Sequence, residues 1–135
     1  MINDNEVNLA KYRLEQAQEC LHMAKITIET SLKNSINRSY YCIFHAMRAV
    51  LAIDKFDSKK HSGIIGAFRQ RYIKTDKFPR HFSDIIEEAF EIRNDSDYED
   101  FYIVAESEAV QQLKNAELFL ISVEEYISSI LKECP

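Results

Sequence analysis

The sequence predicts an all-α protein, a bundle of about five helices, and three observations support this prediction. Apolar residues recur at alternating steps of three and four along most of the 135 residues, which is the period of an amphipathic helix. Only two glycines and two prolines interrupt the chain, and no long stretch has the period of two that is typical of a strand. Because 46% of the residues are hydrophobic, we expect one core and a single domain over residues 1–135.

The two ends of the chain carry the longest helical patterns. One helix is predicted from Asp4 to Thr30, and another begins at Ser107, which is a suitable N-cap. Each has a narrow apolar seam, and helices with such seams pack at shallow angles, so we expect the two to lie side by side. The seam residues are Val7, Ala10, Leu14, Ala17, Leu21, Ala24 and Ile28 in the first helix, and Ala109, Leu113, Ala116, Leu120, Val123, Ile127 and Ile130 in the last.

A helix predicted from Ser35 to Asp54 carries little charge around its circumference. Such a helix is covered on most sides, which places it at the centre of the bundle or in a subunit contact. Its faces are an apolar one (Ile36, Tyr40, Ile43, Phe44, Met47, Val50, Leu51), a small one (Ser39, Cys42, Ala46, Ala49) and a stripe of Asn37, Tyr41, His45 and Arg48.

Shorter helices occupy the middle of the chain. One is predicted from a Ser58 cap to Ile73, and Thr75 to Pro79 is a connector. The next is predicted from Arg80 to Arg93, and Asn94 to Val104 is predicted to be an irregular, acidic link into the last helix.

Charge is unevenly distributed, although the net charge of −5 argues against nucleic-acid binding through the field of the whole molecule. Residues 55–80 contain eight basic and two acidic side chains, whereas residues 81–108 contain ten carboxylates and one basic residue, Arg93. Either the two stretches attract each other, within the fold or across a dimer, or the basic stretch binds phosphate.

Other features limit the class of protein. No apolar run is long enough to cross a membrane and the N-terminus lacks the pattern of a signal peptide, so we expect a cytoplasmic protein. The three cysteines have no Cys-x-x-Cys spacing, which argues against a disulfide framework and a zinc site. We interpret Cys20 and Cys42 as core residues and Cys134 as a tail thiol, and we predict neither a metal nor a cofactor.

Three motifs, in order along this helical pattern, resemble those of the HEPN family, in particular of a minimal prokaryotic subfamily. They are residues 39–49 (Ser-Tyr-Tyr-Cys-Ile-Phe-His-Ala-Met-Arg-Ala), Lys60-His61-Ser62-Gly63, and Arg93 followed by Asp97 and Tyr98. The resemblance implies an up-and-down helical bundle, usually a homodimer, often encoded beside a minimal nucleotidyltransferase that acts as its antitoxin. It also implies a metal-independent RNase, whose catalytic pair is an arginine and a histidine with four to six residues between them.

Arg93 resembles the catalytic arginine of that pair, and Tyr98 stands where the histidine is expected. Cleaving RNA without metal needs a base, an acid and cations that stabilise the phosphate. A guanidinium can hold two phosphate oxygens, whereas tyrosine, with an ordinary pKa of about 10, is a poor base at pH 7 but can hydrogen-bond a phosphate. We predict Arg93 and Tyr98 as the catalytic positions and Asp97 as part of the same site. The residues alone allow another reading, in which Arg93 stabilises a helix C-terminus and pairs with Asp97.

Other side chains could complete the site. His45 or His61 could replace the missing histidine, although each could equally be a packing or surface residue. Asn37 and Tyr41 are predicted neighbours on the central helix. In HEPN toxins that pair with nucleotidyltransferases, a tyrosine near the motif can accept AMP, so the resemblance makes Tyr98 and Tyr102 candidate acceptors.

Three functions follow from these predictions. The first is the HEPN component of a HEPN/nucleotidyltransferase toxin–antitoxin system, with a site for the phosphate of RNA or a nucleotide that has lost catalysis along with its histidine. The alternatives are an active metal-independent RNase toxin and a purely structural helical adaptor.

Overall fold

The computed structural model describes residues 3–132, and all of their regular structure is helical. The five helices are α1 (Asp4–Thr27), α2 (Leu32–Ile53), α3 (His61–Phe68), α4 (His81–Tyr98) and α5 (Glu106–Lys132). A short π-helical segment, Arg69–Ile73, continues directly from α3. The all-α prediction is therefore confirmed. No helix within the described range is both long enough and apolar enough to cross a membrane.

The central helix is α2, as its low charge predicted. It packs against α1, α3, α4 and α5, and the close approach of its neighbours is possible because the small residues on its surface are buried. Those residues are Ser39, Cys42, Ala46 and Ala49. The predicted contact between α1 and α5 is also present. Cys20 and Cys42 lie in the core as predicted, and Cys134 lies outside the described residues.

Local hydrogen bonds set the ends of the first two helices. A capping box joins Asn3 and Glu6 at the start of α1, and the Ser31 side chain accepts the backbone N–H of Asn34 at the start of α2. The prediction had extended α1 to Thr30 and started α2 at Ser35. Both limits were wrong by three residues, because Ser31 caps α2 earlier than the apolar pattern indicated.

Two further predicted caps are displaced. Ser58 does not cap α3; its hydroxyl accepts the backbone N–H of Lys60, which is itself the residue before the helix. Ser107 lies inside the first turn of α5, where the Glu108 carboxylate accepts the backbone N–H of Ala105. Both helices still begin within three residues of the predicted positions.

The largest difference from the prediction concerns α4, which was expected to end at Arg93 but continues to Tyr98. Residues 94–98 are polar and were predicted to be an irregular link. Instead, Ser96 is buried and Arg93 pairs with Asp97 one turn later, so contacts with the rest of the fold override the weak helix propensity of this stretch. The extra turn places Asp97 on the same face as Arg93.

The basic and acidic stretches meet within one chain. The Arg69 guanidinium forms an ion pair of 2.8 Å with Glu87 and also donates to the backbone oxygen of Ser83, so the π-helical segment and α4 are joined by polar contacts. This contact supports the reading in which the two stretches attract each other inside the fold.

Candidate functional site

The side chain of Arg93 lies against aromatic rings of the central helix. It is only 9% exposed, and its guanidinium carbon is 4.6 Å from the centre of the Tyr40 ring, 5.7 Å from Tyr41 and 6.0 Å from Phe90. A guanidinium over aromatic faces is attracted by their electron-rich centres, and the attraction strengthens as water is removed. The rings therefore hold the cation in one place between α2 and α4.

Few polar groups satisfy this buried cation. Its Nη1 lies 3.7 Å from the Asp97 carboxylate, which also accepts a hydrogen bond of 3.3 Å from the Asn37 amide. The Arg93 Nε is buried and has no hydrogen-bond partner among residues 3–132. The predicted pairing with Asp97 and the predicted proximity of Asn37 are both present. The guanidinium still retains donors that this one long ion pair does not use.

His61, the first residue of α3, lies beside the same aromatic group. Its Nδ1 is 2.7 Å from the Tyr40 hydroxyl, and its ring stacks on Phe44 with centroids 4.1 Å apart. Burial, together with the charges of Arg93 and Arg48, lowers the pKa of His61 below its ordinary value. The lowered pKa favours the neutral imidazole, whose unprotonated ring nitrogen can accept a proton or a hydrogen bond.

Tyr40 joins the arginine to the histidine. Its ring lies under Arg93 and its hydroxyl bonds to His61. Burial raises the pKa of Tyr40 to about 12 in spite of the nearby Arg93 charge, so the hydroxyl stays protonated. Sequence reasoning placed Tyr40 on the apolar face and missed this role, because periodicity identifies a buried ring but not what binds to its face.

Tyr41, which contacts Arg93, and His45 lie one turn apart on α2. The Tyr41 ring lies between the two histidines, 6.0 Å from His45 and 5.8 Å from His61. His45 itself lines a cavity between α1 and α2, where burial and nearby arginines lower its pKa to about 4. Its neighbours are the rings of Tyr41 and Phe44, which fits a packing residue better than a partner of Arg93.

The two candidate acceptor tyrosines are placed differently. Tyr98, the last residue of α4, is 73% exposed. The hydroxyl of Tyr102, which is partly buried, donates a hydrogen bond of 3.1 Å to Glu108. Neither side chain is among the groups that surround Arg93.

A second cationic group lies further along α2, and only one of its two arginines was predicted from the sequence. Arg48 was on the predicted polar stripe, but its neighbour Arg13 was missed. Arg13 is buried, donates to the backbone oxygen of Arg48 at 3.2 Å, and binds Asp57 at 3.1 Å. Arg48 lies 3.6 Å from the same carboxylate. One carboxylate therefore pairs with two guanidiniums, so these three side chains keep a net positive charge near His61. The feature that could have identified Arg13 is its position as a charged residue beside the apolar seam of α1.

No group of three or more histidine, cysteine, aspartate or glutamate residues within the described range could hold a metal ion.

Replacing Arg93 with methionine is expected to raise the pKa of His61 toward its ordinary value of about 6.5, because the substitution removes a cation that disfavours the imidazolium. Methionine keeps an unbranched apolar side chain among the aromatic rings that surround Arg93. An NMR titration of the histidine rings measures the change. Arg80→Met is the matched control, since Arg80 is highly exposed, pairs with Asp76, and does not contribute to the shift at His61. An unchanged His61 pKa in a folded Arg93→Met protein would contradict the electrostatic coupling.

The fold and the site define a class of protein: a small helical bundle in which a central helix supplies aromatic walls for a buried arginine. The family model of the HEPN domain matches residues 10–126. The chain belongs to the HEPN family.

Several relatives match this chain over most of their own length. A "UPF0332 protein" of Thermotoga maritima is 29% identical over 130 residues, which cover 96% of this chain and 98% of that protein. The "Putative toxin MJ0605" of Methanocaldococcus jannaschii is 30% identical over 119 residues, 87% of this chain and 88% of that protein. A second protein of that organism, "Putative toxin MJ0142", is 26% identical over 117 residues, 86% of this chain and 80% of that protein.

Proposed function

We propose that this protein is the HEPN component of a toxin–antitoxin-type system and that the site around Arg93 binds a phosphate of RNA or of a nucleotide. The observation that carries the proposal is the guanidinium of Arg93. It is fixed by aromatic rings and retains donors that its single long ion pair leaves free. A fixed guanidinium binds a phosphate with two parallel hydrogen bonds at little cost in side-chain entropy. The toxin names of two relatives support the biological setting.

Binding of a phosphate anion would also neutralise part of the positive charge at this site. The charges of Arg93 and Arg48 both lower the pKa of His61. The carboxylates that pair with these two arginines, Asp97 and Asp57, are more exposed than the arginines themselves. An anion that enters from solvent can displace a partly exposed carboxylate more easily than it can displace a buried one. The Asn37 amide, which donates a hydrogen bond to Asp97, is then close enough to contact the bound phosphate too.

The expected result is that single-stranded RNA binds about 10- to 100-fold more weakly to Arg93→Met than to wild type, because one charge-assisted contact is lost. Fluorescence anisotropy with a labelled oligonucleotide, repeated at two salt concentrations, measures this. Arg80→Met removes the same charge from an exposed position and serves as the control. Equal affinity for RNA and for nucleotides in wild type and in Arg93→Met would refute the proposed site.

An active RNase is a second candidate function, and the proximity of His61 to Arg93 favours it. In the tautomer whose Nδ1–H donates to Tyr40, Nε2 is free to take the proton of a 2′-hydroxyl. The 2′-oxygen would then attack phosphorus while the 5′-oxygen leaves and receives a proton from water. RNA cleavage that disappears in both Arg93→Met and His61→Gln would distinguish this nuclease from a binding module. Intact RNA with wild type would refute the nuclease and leave the binding site as proposed.

The antitoxin partner is proposed to be a nucleotidyltransferase, with Tyr98 as the acceptor of AMP. The high exposure of Tyr98 supports this choice over Tyr102, whose hydroxyl is engaged with Glu108. An AMP group at the end of α4 would place negative charge about one and a half turns from Arg93 and repel a phosphate ligand. An unchanged intact mass after incubation with a co-encoded transferase and ATP would count against this partnership.

A further inference from the structure

Arg93 and Arg48 lie beside two neighbouring aromatic rings of the central helix α2. The guanidinium carbon of Arg93 is 4.6 Å from the centre of the Tyr40 ring, and that of Arg48 is 5.9 Å from the centre of the Phe44 ring. The two rings are stacked, with their centres 6.1 Å apart, because their residues are one turn apart on the helix. Two cations are therefore held beside successive turns of α2.

His61 contacts both of these rings. The centre of its imidazole is 4.1 Å from that of Phe44 and 5.8 Å from that of Tyr40. Burial lowers the pKa of His61, and the charges of Arg93 and Arg48 lower it further. The imidazole is therefore within electrostatic reach of both guanidiniums, so the two arginines border one region of the surface.

The positive charge around Arg48 is incompletely balanced. Arg48 and the buried Arg13 lie 3.6 Å and 3.1 Å from a single carboxylate, that of Asp57. Burial lowers the pKa of Arg13, and the neighbouring charge of Arg48 lowers it further, so two like charges lie close together. The Nε of Arg48 has no hydrogen-bond partner in the part of the chain that the structure describes. A second anion at this place would reduce the repulsion between the two guanidiniums.

Asp57 lies where such an anion would bind. It follows α2, its carboxylate is 55% exposed, and the Arg48 side chain is 25% exposed, so a ligand can approach this pair from solvent. Asp97 has the same relation to Arg93, since it is the more exposed partner of a single long ion pair. In both places an arginine beside an aromatic ring is paired with a carboxylate that a phosphate can displace at low cost.

We propose that Arg48 forms a second phosphate subsite, and that an RNA strand binds with one phosphate at Arg93 and the next at Arg48. This inference rests on the proposed function, because it takes the Arg93 site as the first subsite. Successive phosphates of a strand are separated by one ribose, a distance close to that between the Tyr40 and Phe44 rings. Arg13 is a positioning residue, which donates to the backbone oxygen of Arg48. A mononucleotide monophosphate fills one subsite only, so a strand binds more tightly.

Two short ligands separate the subsites, because the dinucleotide ApA carries one phosphate and the trinucleotide ApApA carries two. We expect wild type to bind ApApA at least about tenfold more tightly than ApA, since the second phosphate gains a charge-assisted contact. Arg48→Met should lose most of this advantage, whereas Arg93→Met should bind both ligands more weakly. An NMR titration that follows the ring signals of His61 measures both dissociation constants.

Asp57→Asn is a companion variant whose expected effect has the opposite sign. It removes the carboxylate that competes with the second phosphate, so ApApA should bind about threefold more tightly than it does to wild type. Damage to the fold would not strengthen binding. The amide oxygen of asparagine can still accept the backbone N–H of Ser58, as the Asp57 carboxylate does. Circular dichroism checks that each variant keeps its helices.

Arg80→Met is the control for loss of a positive charge, because Arg80 is highly exposed and should leave the advantage of ApApA unchanged. The second subsite is overturned if a folded Arg48→Met protein keeps the full advantage, or if Asp57→Asn weakens the binding of ApApA. Either result leaves the first subsite standing as long as Arg93→Met weakens both ligands. If wild type binds neither ligand, or if Arg93→Met binds both as wild type does, the proposed function fails and the second subsite fails with it.

Discussion

Replacing Phe119 with alanine is expected to lower the free energy of unfolding by about 3–5 kcal/mol, a large fraction of the stability of a domain of this size. Phe119 of α5 is fully buried, and its ring lies 4.9 Å from Phe82 of α4 and 5.6 Å from Phe68 of α3. Three helices therefore meet at one side chain. The smaller residue would leave a cavity that the closely packed rings of Phe68 and Phe82 cannot fill without strain.

Urea unfolding followed by circular dichroism measures this loss, at one protein concentration so that association does not alter the comparison. Leu118→Ala is the matched control, because Leu118, the residue before Phe119 on the same helix, is 46% exposed. We expect that variant to lose less than about 1 kcal/mol. Similar losses for the two variants would mean that Phe119 does not join the helices as its contacts indicate.

Much of the fold could be predicted because its helices are amphipathic. The seams of α1 and α5 contain the buried residues that the spacing selected, such as Ala17 and Ala116, and the low charge of α2 correctly placed it at the centre. The last turn of α4 could not be predicted this way. Residues 94–98 have a polar, weakly helical sequence, and the contacts that hold them come from elsewhere in the fold, notably around the buried Ser96.

Sequence motifs predicted the site residues that lie within them. They did not predict contacts that arise from the packing of one helix on another. Arg93, Asp97 and Asn37 lie together as expected, and the extra turn of α4 explains how they meet. Nothing in the sequence indicated that Tyr40 would lie under Arg93 and hydrogen-bond to His61. Periodicity assigns a residue to a buried face, but the identity of its neighbours depends on how distant helices cross.

Replacing Tyr40 with alanine is expected to lower the free energy of unfolding by about 3–5 kcal/mol and to disrupt the site around Arg93. The ring is almost fully buried, and it supports the Arg93 guanidinium on its face. Its loss would leave a buried cation with fewer favourable contacts and would remove the group that orients His61. RNA binding through Arg93 should weaken along with the fold.

Tyr40→Phe separates these two contributions, because it keeps the ring and removes only the hydroxyl. We expect a loss of about 1 kcal/mol in unfolding free energy, since one hydrogen bond to a half-buried imidazole is gone, and near wild-type RNA binding, since the aromatic face under Arg93 remains. Urea unfolding and anisotropy on the same preparations give both numbers. If the phenylalanine variant binds RNA as poorly as Arg93→Met while remaining folded, the Tyr40 hydroxyl or His61 contacts the ligand directly, and the aromatic ring is more than a support for the arginine.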